Sequence, residues 1–145
     1  MCIRDSFKAG FEEKVYAHFA TTQAALPYLS ATGSITFVSG LAGLAAWPGT
    51  AGIGSSNAAV AALVPILAAE LKPMRVNGVC PGVIDTPWWA AVPQDEKQAM
   101  FEHYASKTPV GRVGTADDVA QSIAFLIGND FMTGHMLVCD GGLRL

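Results

Sequence analysis

The stretch GTAGIGSSN, residues 49–57, sets Gly49, Gly52 and Gly54 ahead of a helix-forming run. Glycines so placed suit a loop whose backbone N–H groups wrap a dinucleotide phosphate at a helix N-terminus. That chemistry needs a strand immediately before the loop. The nearest candidate strand, SITFVS over 34–39, ends well upstream of Gly49. The stretch is therefore not read as a phosphate loop, and its glycines count as coincidence. Metal chemistry finds no better footing. His18 and His135 have no partner at ligand spacing, and Cys2, Cys80 and Cys139 form no C-x-x-C pair. Such scattered thiols are expected as buried structural cysteines in a reducing cytoplasm. Lys14 is the last charge before a long uncharged run.

The elements that must position these groups follow from pattern. The chain of 145 residues carries a net charge of −3 and is 51% apolar but only 14% charged, against roughly 25% charged in an average globular chain. No basic patch marks a nucleic-acid partner. Residues 15–69 contain no Asp, Glu, Lys or Arg. Glycines and prolines cut this run, and no apolar stretch in it approaches the roughly 20 residues of a membrane span. A covered sheet with its helices is the expectation.

Phe7, Phe11, Val15, Phe19 and Leu26 give an apolar stripe at helical spacing, so a helix is expected over 7–29. Strands are expected at 34–39, 74–80 and 135–140, and helices at 57–71, 94–105 and from Ala116. The 57–71 helix is apolar nearly all round, which calls for a sheet on one side and a helix on the other. Pro65 should bend it. Thr115 and Asp118 form a capping box. Alternating helices and strands predict an α/β fold with a parallel sheet. The opening MCIRDS, residues 1–6, reads as a non-native leader left at the edge of an incomplete reading frame, with the domain over 7–145.

GSITFVSGLAG, LAAELKPMRVNGVCPGVIDTPWW, TPVGRVGTADDVAQSIAFL and MTGHMLVCDGG follow one another in the order and spacing of the short-chain dehydrogenase/reductase family. Each motif is short, but four stand in register over residues 14–145. The chain resembles the C-terminal part of that family. The resemblance implies the second half of a Rossmann-type doubly wound sheet, NAD or NADP as cofactor, and a homodimer or homotetramer pairing through the 57–71 helix. It also implies that the phosphate-binding first βαβ unit lies outside this sequence.

In the family's register, GTAGIGSSN overlies the Y-x-x-x-K active-site segment. Ile53 stands at the tyrosine, Asn57 at the lysine, Gly40 at the serine and Lys14 at the asparagine. A hydrocarbon donates no proton, and an amide holds a ribose hydroxyl without shifting a pKa by charge. Ser39, one residue before Gly40, points to the opposite face while the strand continues. Lys14 either brings a compensating charge into the site or is a solvated helix lysine beside Glu12 and Glu13, the plainer expectation. Pro81, Gly82, Ile84 and Thr86 match the family's nicotinamide loop. Trp88, Trp89, Met100, Phe101 and Tyr104 fall in its substrate lid, with His103 and Tyr104 as nearby titratable groups. The reading is an NAD(P)-dependent oxidoreductase acting on a carbonyl or alcohol. A non-catalytic cofactor-binding subunit and an incomplete fragment are the alternatives.

Overall fold

The computed structural model describes residues 3–145. Five strands, β1 (Ser34–Val38), β2 (Arg75–Pro81), β3 (Ile84–Asp85), β4 (Gly114–Thr115) and β5 (Met136–Cys139), all pair in parallel. The main sheet has the order β1-β2-β5, while β3 and β4 form a separate short pair. Helix α1 (Ile3–Gly10) widens into a π-helical turn over Phe11–Tyr16 and resumes as α2 (Ala17–Ala25). The helix expected over 7–29 is thus present, with a loosened middle. Met1 and Cys2 of the proposed leader lie outside the described residues, and the backbone from Ile3 belongs to α1.

Helix α3 (Ala51–Glu70) covers one face of the main sheet. Its Val60, Val64 and Leu67 pack with Phe37 of β1 and Val76 of β2 to form the buried core. Gly78 lies where Val64 and Met136 converge, so that any β-carbon would collide with the methionine tip. The other face carries α5 (Ala116–Gly128), whose Leu126 is fully buried. The buried Asn77 ties this side together, its Nδ2 donating to the Met132 carbonyl at 2.7 Å and its Oδ1 accepting from the His135 N–H at 3.1 Å.

Both ends of α5 are held. The capping box is present, with the Thr115 N–H donating to Asp118 Oδ2 at 2.7 Å and the Asp118 N–H donating to Thr115 Oγ1 at 3.3 Å. Arg112 donates two hydrogen bonds to the same carboxylate, holding it well below the usual carboxylate range. At the other end the Arg75 guanidinium donates to the carbonyls of Leu126 and Ile127, both at 2.8 Å. Last-turn carbonyls lack intrahelical partners, and a cation there also meets the negative end of the helix dipole.

Two expectations require correction. The segment 51–56 is helical rather than loop, because tertiary packing overrides its glycine content. At Gly10 a β-carbon would stand 3.0 Å from the Gly52 carbonyl, and at Gly54 one would stand 2.8 Å from the Ala42 carbonyl. Gly54 and Gly10 are thus packing residues. In addition, the apolar stretch does reach spanning length, since α3 is one continuous helix of 20 residues. By length and composition it could cross a membrane, but its buried side chains are the sheet's core.

Gly54 supplies a test with a definite sign. On an isolated helix, Gly→Ala stabilises by roughly 0.5–1 kcal/mol. Here the fixed Ala42 carbonyl opposes the added methyl, so Gly54→Ala should lower stability by about 1–2 kcal/mol in urea unfolding. A gain in stability would show that the contact yields.

Candidate functional site

A cavity of about 640 Å³ opens beyond the carboxyl ends of β1 and β2, the place where open parallel sheets bind ligands. Residues from distant parts of the chain meet there: Lys14 from the π-helical turn, Ser39 and Gly40 beyond β1, Ile53 and Asn57 from α3, and Pro81 at the end of β2 with Gly82, Ile84 and Thr86 after it. The residues at these nine positions border one cavity.

Strand β1 ends at Val38, which frees Ser39 from strand alternation. Ser39 is buried, and its hydroxyl donates to the Asn57 main-chain carbonyl at 2.8 Å. With its proton committed to that bond, Ser39 positions the start of α3 against the sheet. Asn57 is only 2% exposed. Its Nδ2 donates to the Ile53 carbonyl at 2.7 Å, whereas its Oδ1 is buried with no hydrogen-bond partner among the described residues. That oxygen occupies the space beside Gly40, where a β-carbon would stand 3.1 Å away. Gly40 has extended backbone, φ −173° and ψ 151°, so space rather than backbone strain favours glycine. Ile53 presents a half-exposed hydrocarbon to the same cavity.

Lys14 departs from the expectation of a solvated lysine. It is half-buried, and among the residues lining the cavity it is the sole charged one. No carboxylate lies within ion-pair distance of it among the described residues. Burial pushes its ammonium below the ordinary lysine range, an effect partly offset by Cys80. The π-helical turn carrying it is a rare geometry that is frequent at functional sites.

Loop 81–86 is firmly seated rather than free. Gly82 passes so close to Asp140 that a β-carbon would stand 2.9 Å from its Cα, and its N–H donates to the Cys139 carbonyl at 3.0 Å. Pairing of β3 with β4 then clamps the loop, and the Trp89 indole donates to the Ile84 carbonyl at 2.8 Å. The short β3–β4 ladder was not apparent in the sequence, where PGVIDTPWW reads simply as a loop.

Helix α4 (Gln94–Lys107) closes one side, tied to the loop by a 2.8 Å ion pair between Lys97 and Asp85. Tyr104 lines the cavity and lies 6.0 Å from Trp47 between ring centroids, whereas His103 is exposed. Trp88 and Trp89 also line it, and Phe101 packs edge-on against Trp89. Met100 and Phe101 are not lining residues. Trp47 and the α5 residues Val119 and Ile123 are lining residues that sequence reading missed. The single available signal was an aromatic residue within a Pro-Gly turn.

Against known proteins, a family described as enoyl-(acyl carrier protein) reductase matches residues 2–144. The chain belongs to the short-chain dehydrogenase/reductase family. It is similar to the 3-oxoacyl-[acyl-carrier-protein] reductase of Thermotoga maritima, 35% identical over 131 residues that cover 86% of this chain and 52% of that protein. A tropinone reductase homologue of Arabidopsis thaliana is 40% identical over 130 residues, covering 86% and 47% respectively. Among solved structures, a small-chain dehydrogenase in complex with NADPH superposes with a TM-score of 0.94 at 33% identity, covering 99% of this chain and 65% of that one. The chain spans about half the length of the curated relatives it matches. Its α/β architecture is the Rossmann-type fold of this family, over the family's C-terminal part.

The thiol beneath the site provides a chemical check on its burial. Cys80 is 1% exposed, and desolvation, followed by the nearby Asp140 carboxylate, pushes its pKa up to about 11. Because the thiolate is the reactive form, iodoacetamide at pH 8 should label Cys80 about 100-fold or more slowly in the native chain than in urea. Peptide mass spectrometry reads the difference, and equal rates would contradict the packed sheet end.

Proposed function

We propose that this chain forms the substrate-binding part and the nicotinamide end of an NAD(P)-dependent oxidoreductase acting on a carbonyl or alcohol, with the family's Asn, Ser, Tyr and Lys positions replaced by Lys14, Gly40, Ile53 and Asn57. The observation that carries the reading is the buried, unpartnered Asn57 Oδ1 at the edge of the cavity. An orphaned buried acceptor is costly unless a ligand supplies a donor. The hydroxyls of a nicotinamide ribose are donors of that kind, so the residues present fit the group.

When bound, the nicotinamide supplies or accepts a hydride at the substrate carbon. Asn57 would hold the ribose, the main chain of Ile84 and the hydroxyl of Thr86 would meet the carboxamide, and Pro81 and Gly82 would shape the turn beneath it. Ser39 keeps Asn57 in place through the bond to its carbonyl. Trp47, Trp89 and Tyr104 would form an aromatic wall beside the reacting centre. Ile53 and Gly40 provide no proton, which also favours a second reading, a cofactor-binding subunit without turnover.

Two further features belong to the same proposal. The outer side of α3 presents Ala58, Ala62, Pro65, Ile66 and Ala69 to solvent with no charge among them, which supports pairing with a second copy as a homodimer or homotetramer. Cys80 and Cys139 are free thiols, which supports residence in the cytoplasm.

Reduced nicotinamide mononucleotide, followed by its fluorescence, tests the cofactor end directly. Asn57→Leu should weaken its binding about tenfold, the loss of one buried hydrogen bond. Unchanged affinity in a folded variant would sink the assignment of Asn57. The variant Gly40→Ser/Ile53→Tyr/Asn57→Lys should gain at most weak NAD(P)H turnover on a carbonyl panel, because Lys14 still replaces the asparagine. Robust turnover would refute that role for Lys14, and binding without any turnover in the unmodified chain would favour the second reading.

A further inference from the structure

The cavity has a chemical polarity that points to its ligand. Its walls are Val38, Leu41, Trp47, Ile53, Trp89 and Ile123 with further small apolar residues, and against them stands one cation among the described residues, Lys14. A half-buried ammonium without a carboxylate partner is destabilised by desolvation. A ligand oxygen bearing full or developing negative charge would relieve that cost with a charge-assisted hydrogen bond. An ammonium has three donors and no acceptor, so its complement is an acceptor oxygen. The adjoining orphan, Asn57 Oδ1, has the opposite demand and calls for a donor. The site thus separates a donor pole from an acceptor pole.

From these observations we infer that Lys14 is the group that receives the substrate oxygen, and that the substrate is an aromatic or otherwise bulky apolar carbonyl compound. The inference rests on the function proposed above and adds the class of substrate and the residue that polarises it. The ammonium binds the carbonyl oxygen and stabilises the negative charge that develops there, an electrostatic role that gains strength in an apolar, water-poor site. Neighbouring Tyr104 and the tryptophans supply flat surfaces for an aromatic ligand. Asn57 remains available to the cofactor's hydroxyls, so the two poles serve different partners.

All three tryptophans of the chain, Trp47, Trp88 and Trp89, line this cavity. Intrinsic fluorescence therefore reports on the cavity without any cofactor. The full chain would be titrated with 2-naphthoate, whose carboxylate imitates the charged oxygen, and with the neutral 2-naphthamide of nearly the same shape. Naphthoate should bind about tenfold more tightly than naphthamide. Lys14→Gln should abolish that preference, weakening naphthoate about tenfold more than naphthamide, and Lys14→Arg should retain it. Circular dichroism and the urea midpoint establish that each variant is folded.

Equal binding of the two probes by the unmodified chain, or a preference that survives in Lys14→Gln, would overturn the assignment of Lys14. Failure of both probes to quench the tryptophans would overturn the aromatic substrate class. Neither result bears on Asn57 and the reduced mononucleotide, so failure here is distinguishable from failure of the cofactor reading.

Discussion

The packing of α3 on the sheet is the constraint from which the site follows. Val60, Val64 and Leu67 fit against Phe37 and Val76, and full burial of a side chain of this size is worth about 1.5–3 kcal/mol. Gly78 lets Val64 and Met136 approach β2 closely. Since α3 extends past the end of the sheet, fixing its middle also fixes its first turns. Those turns carry Ile53 and Asn57. Their position at the cavity is a mechanical consequence of core packing further along the same helix.

The start of α3 is then locked from three directions. Ser39 grips the Asn57 carbonyl, Gly10 brings α1 against Gly52, and the turn over Leu41–Gly43 lies against Gly54 and Ala58. Small residues dominate these contacts because backbone meets backbone. A side chain at Gly43 or Gly54 would collide with main-chain atoms that cannot swing away. The π-helical turn next to this junction is where Lys14 sits, so the helix whose neighbour crosses α3 also delivers the cavity's charge.

The poverty of charge in the chain has a matching structural meaning. The central strand β2 is covered on both faces, by α3 and by α5, and needs apolar residues throughout. Asn77 is the buried exception, and both ends of its amide are satisfied, while Arg75 at the strand's start reaches the carbonyls at the end of α5. Asn57 is also buried, but only one end of its amide is satisfied. That contrast separates a structural amide from one held ready for a ligand.

Strand and helix order, the parallel sheet, the capping box at Thr115 and the family were legible in the sequence, because alternation, turn residues and local hydrogen bonding are encoded by near neighbours. Motif register brought out part of the cavity lining, such as Ile53, Asn57 and Ile84, but not Trp47, Val119 or Ile123. Five matters were not legible. The helical state of 51–56 depends on contacts with Gly10 and Ala42, whose effect outweighs local glycine propensity. The burial of Lys14 depends on how its helix crosses α3, and Trp47 reaches Tyr104 across a large separation in sequence. Neither the orphaned oxygen of Asn57 nor the role of Ser39 could be read from residue type, since both depend on which partner lies within hydrogen-bonding distance. Local chemistry determined the elements and their order, and tertiary packing alone decided which polar groups were spent on the fold and which were left for a ligand.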